Sequence, residues 1–180
     1  MKYDHQNIKF VDFSLHTDHA LAIDENGLLY AWGSNVTKRA GFKEDIFDGV
    51  FEPKQVKFPE IEKLKPIKVK AGFDHSLILF EDETGLQKLF SVGQDENSFF
   101  HLGITQQEAE EKTIFYREIS AFRGFNIVDF VAGYRTSFAI VQGDKEPTDG
   151  LYEHKIARDK VVKGLLHFYK DAEGQWVFVS

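Results

Sequence analysis

Apolar and polar residues alternate along this chain in short segments separated by turns that contain glycine. Residues 18–33 show the pattern most clearly, with an apolar segment on each side of Asn26-Gly27. Asn-Gly between two apolar segments predicts a β-hairpin, and the expected connection is a type I′ turn, in which both central residues have positive φ. We therefore predict a strand, a tight turn and a second strand over residues 18–33.

The same pattern occurs twice more along the chain. Residues 69–93 contain a second copy, and residues 130–140 begin a third. The motif position occupied by His19 recurs 56 residues later at His75 and a further 61 residues later at Thr136. A period of this size is typical of proteins in which similar supersecondary units are stacked or arranged radially.

Strands are also predicted outside the repeated hairpins. Residues 8–13 form one, with Val11 and Phe13 on the same face, because alternate side chains of a strand share a face. Residues 51–58 are expected to form a short outer strand. The segment 165–179 reads as a C-terminal hairpin, which would either complete the third unit or close against the first.

The residues shared by the copies follow a fixed order along the chain. A Val-x-x-Gly-x-x-His-Ser-Leu segment is followed by a glycine turn, then by Tyr-x-Trp-Gly-x-Asn and a short Leu-Gly. The motif is carried by residues 18–21, 30–35 and 40–41 in the first copy, by 71–77, 90–93 and 101–104 in the second, and by 131–138 in the third. This order resembles the regulator of chromosome condensation repeat family, with about three diverged repeats over residues 8–141.

The resemblance implies an all-β fold. The family folds as a β-propeller of four-stranded blades with more blades than three repeats supply, so this chain is expected to form a partial or open β-propeller of antiparallel blades. We predict a single domain over residues 1–180, with repeats at approximately 8–66, 67–126 and 127–180.

Six positions are expected to have structural roles in the repeats. They are His19, Gly33, Gly72, His75, Gly93 and Gly133. Two copies depart from the motif, because the first has Leu15-His16 in place of Ala-Gly and the third has Thr136 in place of the histidine.

Composition narrows the classes of function. The chain has 180 residues, a formal net charge of −7, 18 phenylalanines and no cysteine. The absence of cysteine excludes disulfides and thiolate metal sites and favours a reducing compartment. The negative charge disfavours nucleic acid as a partner. Neither a signal peptide nor a membrane-spanning apolar segment is found in the sequence, so an intracellular protein, cytoplasmic or nuclear and not secreted, is predicted.

Two residue clusters were weighed as catalytic or metal sites. Asp74-His75-Ser76 has the residue types of a nucleophilic triad, but neighbouring side chains on a strand point to opposite faces and cannot relay a proton. His16, Asp18 and His19 supply too few convergent ligands for zinc, because His19 opposes the other two on an extended segment. The sequence therefore predicts no catalytic residue, no metal and no cofactor.

The predicted function is a non-catalytic protein–protein interaction or scaffold module, and not an enzyme. Its partner is a protein whose identity the sequence does not reveal, and self-association is open if the propeller is incomplete. The aromatic residues considered for a binding surface on loops are Phe42, Phe47, Phe99 and Phe100, although packing between blades is the favoured role for each one singly. Two alternatives follow from the resemblance: a guanine-nucleotide exchange factor-like regulator of a small GTPase, or a fragment of a larger multidomain propeller protein such as a ubiquitin ligase.

Overall fold

The computed structural model of this chain describes part of its length, and beyond residue 150 it describes the backbone alone. The described ranges are 8–43, 50–93, 102–103, 116–134, 136–142, 151–156, 160–165, 167–170 and 176–179. Regular structure in these ranges is β-strand apart from short 3₁₀ turns such as Ser120–Phe122. None of these described residues belongs to a helix with the length and apolar character needed to cross a membrane.

Antiparallel pairing of the strands produces three four-stranded sheets. The first sheet contains β1 Phe10–His16, β2 His19–Asp24, β3 Leu29–Gly33 and β4 Val50–Gln55. The second contains β5 Lys65–Ala71, β6 His75–Glu81, β7 Gln87–Gly93 and β8 Arg117–Glu118. In both sheets the strands are hydrogen-bonded in chain order.

The third sheet is built from two separate parts of the chain. It begins with β9 Asn126–Ala132 and β10 Ser137–Gln142. A separate hairpin, β11 Leu151–Ile156 and β12 Lys160–Leu165, comes next in the chain. The sheet is completed by β13 His167–Lys170 and β14 Trp176–Val179, in the spatial order β13-β14-β10-β9.

The C-terminal hairpin thus completes the third unit. Strand β14 pairs with β10 over four residues, with Phe138 opposite Val179. The sequence had left open whether this hairpin would instead close against the first unit. The β11–β12 hairpin was not predicted, because residues 151–163 are strongly charged and have no clear apolar period.

The predicted hairpin at residues 18–33 is present, but its turn is not type I′. Gly27 has a φ of 75°, whereas Asn26 is outside the left-handed region. The amides of Asn26 and Leu28 donate to the Asp24 carboxylate at 2.9 and 2.8 Å, which stabilises an Asx-type turn. The β6–β7 turn repeats this geometry, because Asp82 accepts from the amides two and four residues further on.

Two apolar cores hold the three sheets face to face. The first core lies between the first and second sheets and includes Leu21 and Ile78, and the second lies between the second and third sheets and includes Leu77 and Phe130. Ile78 and Leu77 are neighbours on β6, so the alternation of a strand supplies one side chain to each core. The all-β class and the open arrangement of antiparallel sheets are confirmed.

Candidate functional site

The loops that join the first two strands of each sheet lie side by side at one end of the molecule. We call the surface formed by residues 17–18, 72–74 and 133–134 the rim. The amide of Phe73 donates to the carbonyl of Gly133 at 3.0 Å, so the loops of the second and third sheets are hydrogen-bonded directly. Because loops held by a rigid sheet are common binding elements, the rim is the first candidate for a functional surface.

A buried histidine links each sheet to the next one just below the rim. Nε2 of His19 lies 2.8 Å from Oγ of Ser76, and Nε2 of His75 lies 2.8 Å from Oγ of Ser137. All four side chains are buried. The motif histidine of one sheet therefore makes the same hydrogen bond to the motif serine of the following sheet at both junctions.

The hydrogen bonds around Ser76 place a proton on one ring nitrogen of His19. The Ser76 hydroxyl has a single hydrogen and donates it to the Arg39 carbonyl oxygen at 2.8 Å. It must therefore accept from His19, which places the imidazole proton on Nε2. Burial, and next the positive charges of Arg39 and His16, lower the pKa of His19 to about 3. His19 is consequently neutral near pH 7 and acts as a structural donor.

The six positions predicted for structural roles all lie at or just below the rim. In the strand register His19 is opposite Gly33, and His75 is opposite Gly93. Gly72 and Gly133 lie in adjacent rim loops. These roles remain a prediction that substitution has to test, but the structure brings all six positions together.

Glycine is required at two of these positions for different reasons. Gly33 has a φ of 96°, and a Cβ there would lie 2.6 Å from the His19 Cα. Gly72 has ordinary backbone angles, but a Cβ would lie 2.7 Å from the Gly133 carbonyl oxygen and 2.8 Å from Cε1 of His75. Backbone conformation and the close approach of the His19 backbone both select glycine at Gly33, whereas at Gly72 the close approach of two loops alone selects it.

Arg39 contacts the rim from below, and sequence reasoning missed it. Its side chain is only 9% exposed and lies 3.2 Å from the Asp18 carboxylate. Nη1 donates to the Phe73 carbonyl at 2.8 Å, and Nη2 donates to Ser34 Oγ at 3.1 Å. Arg39 lies in a polar connecting segment, and the available signal is its position directly before the Ala40-Gly41 pair of the motif.

Aromatic side chains from the end of β1 and from the rim loops of the second and third sheets form a row. The rings of Phe73 and Tyr134 are stacked with centroids 4.2 Å apart, and His16 meets Phe73 edge-on at 6.0 Å. Tyr134 is 60% exposed. An accessible aromatic row beside Asp18 and Arg39 has the residue types that are enriched in protein interfaces.

The residues weighed as catalytic or metal-binding do not form such sites in the described structure. His75 bonds to Ser137 of the next sheet rather than to its neighbour Ser76, so no triad is assembled. No group of three or more potential metal ligands occurs among the residues that the structure describes.

One of the four loop aromatics, Phe42, has the favoured role of packing between sheets. Phe42 is buried in the first core, only 4% exposed, because its side chain packs between the first and second sheets. It cannot be a surface contact. The other three, Phe47, Phe99 and Phe100, lie outside the described residues.

Comparison with known proteins agrees with this architecture. The family described as "Regulator of chromosome condensation (RCC1) repeat" matches residues 26–79. Yeast RCC1 (Prp20), solved in complex with Kap60, superposes with a TM-score of 0.58 at 21% identity over 94% of this chain and 42% of that chain. The described sheets therefore form a partial β-propeller of antiparallel blades, and the family match agrees with the regulator of chromosome condensation resemblance over residues 26–79.

Two curated relatives align with parts of the chain. Protein pim1 of Schizosaccharomyces pombe is 30% identical over 97 residues, which is 53% of this chain and 17% of the relative. The human probable E3 ubiquitin-protein ligase HERC6 is 28% identical over 123 residues, 68% of this chain and 11% of the relative. The chain thus spans less than a fifth of the length of either relative.

Proposed function

We propose that this chain is a non-catalytic protein-interaction module that binds its partner through the rim. The observation that carries the proposal is the aromatic row of His16, Phe73 and Tyr134, set on loops that are fixed to one another. Tyr134 offers an exposed ring, and Phe73 holds that ring in place by stacking. A partly exposed, positioned tyrosine gives a large contact area at a small cost in conformational entropy.

The charges around the row add directional recognition. The Asp18 side chain is 42% exposed and lies beside the buried guanidinium of Arg39. Arg39 is held by the Phe73 carbonyl and by Ser34, so its side chain is positioned before a partner binds. A surface that is ordered before binding loses less entropy on association.

The relatives are consistent with a binding role. Yeast RCC1 (Prp20) was solved bound to another protein, Kap60, and HERC6 is a probable ubiquitin ligase that contains a region like this chain. We extend the proposal to one domain over residues 1–180, with repeats at 8–66, 67–126 and 127–180. An intracellular location is included, because a chain without cysteine suits a reducing compartment.

The test is quantitative affinity capture with a rim variant and a matched control. Tyr134→Ala removes the exposed ring, and Leu86→Ala removes a side chain that is 45% exposed at the β6–β7 turn, away from the rim. The expected partners are proteins that bind the wild type and Leu86→Ala but not Tyr134→Ala. Titration of each purified partner with the three proteins should show the same loss of binding in Tyr134→Ala. A capture profile that Tyr134→Ala leaves unchanged would disprove binding through the rim.

Nucleotide exchange on a small GTPase is the second candidate function. The resemblance to the repeat family implies it, since the founding member of that family catalyses exchange on a Ran-type GTPase. The chain aligns with only 42% of the yeast RCC1 (Prp20) chain, so most of that protein's surface has no counterpart here. Release of a labelled nucleotide from a Ran-type GTPase measures this activity, and acceleration over a blank would establish exchange in place of simple binding.

A further inference from the structure

The first sheet exposes a face that the other two sheets bury. Phe13, Val69 and Phe130 are equivalent positions in the three sheets. On the neighbouring strand, each pairs with the residue that lies three places after the motif histidine position of the same copy. Val69 is 0% exposed and Phe130 is 2% exposed, since each packs against the preceding sheet, whereas Phe13 is 67% exposed. Leu15, on the same face of β1, is 68% exposed. An apolar face of this kind normally marks a contact surface.

The third sheet exposes the opposite kind of face. Phe138 occupies the position of Leu21 and Leu77, two residues after the motif histidine position in each copy. Leu21 and Leu77 are 0% exposed, because each packs against the following sheet, but Phe138 is 37% exposed. Its cross-strand partner Val131 is 47% exposed. The two outer faces are therefore the two halves of one type of contact, which the chain already forms twice internally.

The histidine–serine bond shows which occupant these faces fit. At the inner junctions a histidine always meets a serine. The first sheet has Ala20 at the serine position, so a sheet with a motif histidine would bury that imidazole there without its acceptor. The third sheet has Thr136 at the histidine position. A sheet with a motif serine that packed on its outer face would therefore have no imidazole partner for that serine. Each mismatch would leave a buried polar group without its hydrogen-bond partner, which is unfavourable.

A second copy of this chain avoids both mismatches. If the third sheet of one copy packs on the first sheet of another, Thr136 falls opposite Ala20. Neither a motif histidine nor a motif serine is then left buried without its partner. Ala20 at the serine position and Thr136 at the histidine position are thus compatible with each other at the junction between two copies.

We propose that two copies of this chain associate head to tail, with the outer face of the third sheet of each copy packed on the outer face of the first sheet of the other. Two copies provide six sheets, and closed propellers generally contain about four to eight blades. Both junctions can therefore form in one ring, which gives a dimer with a defined mass rather than a filament. This inference is independent of binding at the rim.

The mass in solution is the first measurement. Light scattering of the full chain should give twice its 20.7 kDa mass, with dissociation on dilution. Phe13→Asp and Phe138→Asp each place a charge in both junctions of the ring. Each should weaken self-association by at least about tenfold, equivalent to about 1.4 kcal/mol. Leu86→Asp is the matched control, because its exposed apolar side chain lies on neither outer face, and it should dimerise like the wild type.

Mixing the two variants identifies the geometry of the contact. Phe13→Asp retains an intact third-sheet face, and Phe138→Asp retains an intact first-sheet face. Each variant alone should be monomeric. An equimolar mixture should form a heterodimer, because the two intact faces can pack on each other. Circular dichroism checks that both variants fold, with Leu15→Ser and Val131→Ser as milder substitutes. A monomeric wild type, a mixture that stays monomeric, or loss of association in only one variant would overturn the proposal. In the first case, sheets of another chain or of a longer protein become the occupants.

Discussion

The junction between the first and second sheets and the junction between the second and third contain the same buried histidine–serine hydrogen bond, yet their surroundings differ. At the first junction the β5 amides of Val69 and Ala71 donate to Asp12 and Ser14 of β1, both at 2.9 Å. The Arg39 side chain crosses the same junction with 9% exposure. The first junction is thus held by one buried polar side chain, Arg39, and by the partly buried Asp12 and Ser14.

The second junction has a backbone hydrogen bond between Phe73 and Gly133, but its ion pair and its ring stack contact water. Lys68 and Asp129 form an ion pair at 2.7 Å, but their side chains are 34% and 51% exposed. The stack of Phe73 on Tyr134 is also partly open to solvent. Exposed ion pairs contribute little because water and salt screen them, so we expect the first junction to resist separation better than the second. The shared motif specifies the contact between sheets, and the residues around it determine the strength of that contact.

The largest expected effect is at the point where the loops of the second junction touch. Gly72→Ala places a Cβ 2.7 Å from the Gly133 carbonyl oxygen, and we expect the free energy of unfolding in urea to fall by about 3 kcal/mol because backbone must move. Gly85→Ala is the control, since Gly85 has a φ of 83° and open space around it. Its cost should be only the backbone strain of about 1–2 kcal/mol. Equal losses in the two variants would show that steric contact at Gly72 is unimportant.

The sequence predicts those features of the fold that depend on local pattern. The first hairpin, its repetition and the glycine and histidine positions follow from alternation and from the motif, because each copy forms its own sheet from neighbouring strands. The sequence also places Val11 and Phe13 on one face of β1. It does not tell whether that face is covered, since the same apolar pattern suits a buried face and an exposed one.

Other features depend on contacts between distant segments and could not be predicted. Arg39 lies in a polar segment, and it is buried only because the second sheet supplies the Phe73 carbonyl as its acceptor. The place of the C-terminal hairpin is decided by the pairing of β14 with β10, which leaves no periodic signal in the sequence. The rim as a continuous aromatic surface likewise exists only after three sheets are packed together.

The next prediction concerns the pH dependence of the first junction. The pKa of His19 is lowered to about 3 by burial and by Arg39, so the unfolded chain binds a proton below about pH 6.5 that the folded chain does not. The stabilisation is therefore complete above that pH and is lost as pH falls toward 3. Lowering the pH from 6.5 to 5 should cost about 2 kcal/mol of unfolding free energy from this residue alone.

His19→Leu isolates this contribution. The variant has no group that titrates at this position, so its unfolding free energy should change less than that of the wild type between pH 6.5 and 5. Both proteins are compared by urea unfolding, with their values at pH 7.5 as the reference. The same pH slope in the two proteins would show that His19 does not carry the effect.

The smallest expected effects come from removing one polar contact at each junction and comparing the loss of unfolding free energy. Arg39→Met removes charged hydrogen bonds from a buried side chain, and we expect a loss of about 2 kcal/mol in unfolding free energy. Lys68→Met removes the exposed partner of Asp129, and the expected loss is about 0.5 kcal/mol or less. High salt should reduce the effect of Lys68→Met and leave that of Arg39→Met nearly unchanged, because only the exposed pair is screened. If instead the two losses are equal, the buried network does not strengthen the first junction, and the shared histidine–serine bond with the apolar cores is enough to explain how the sheets hold together.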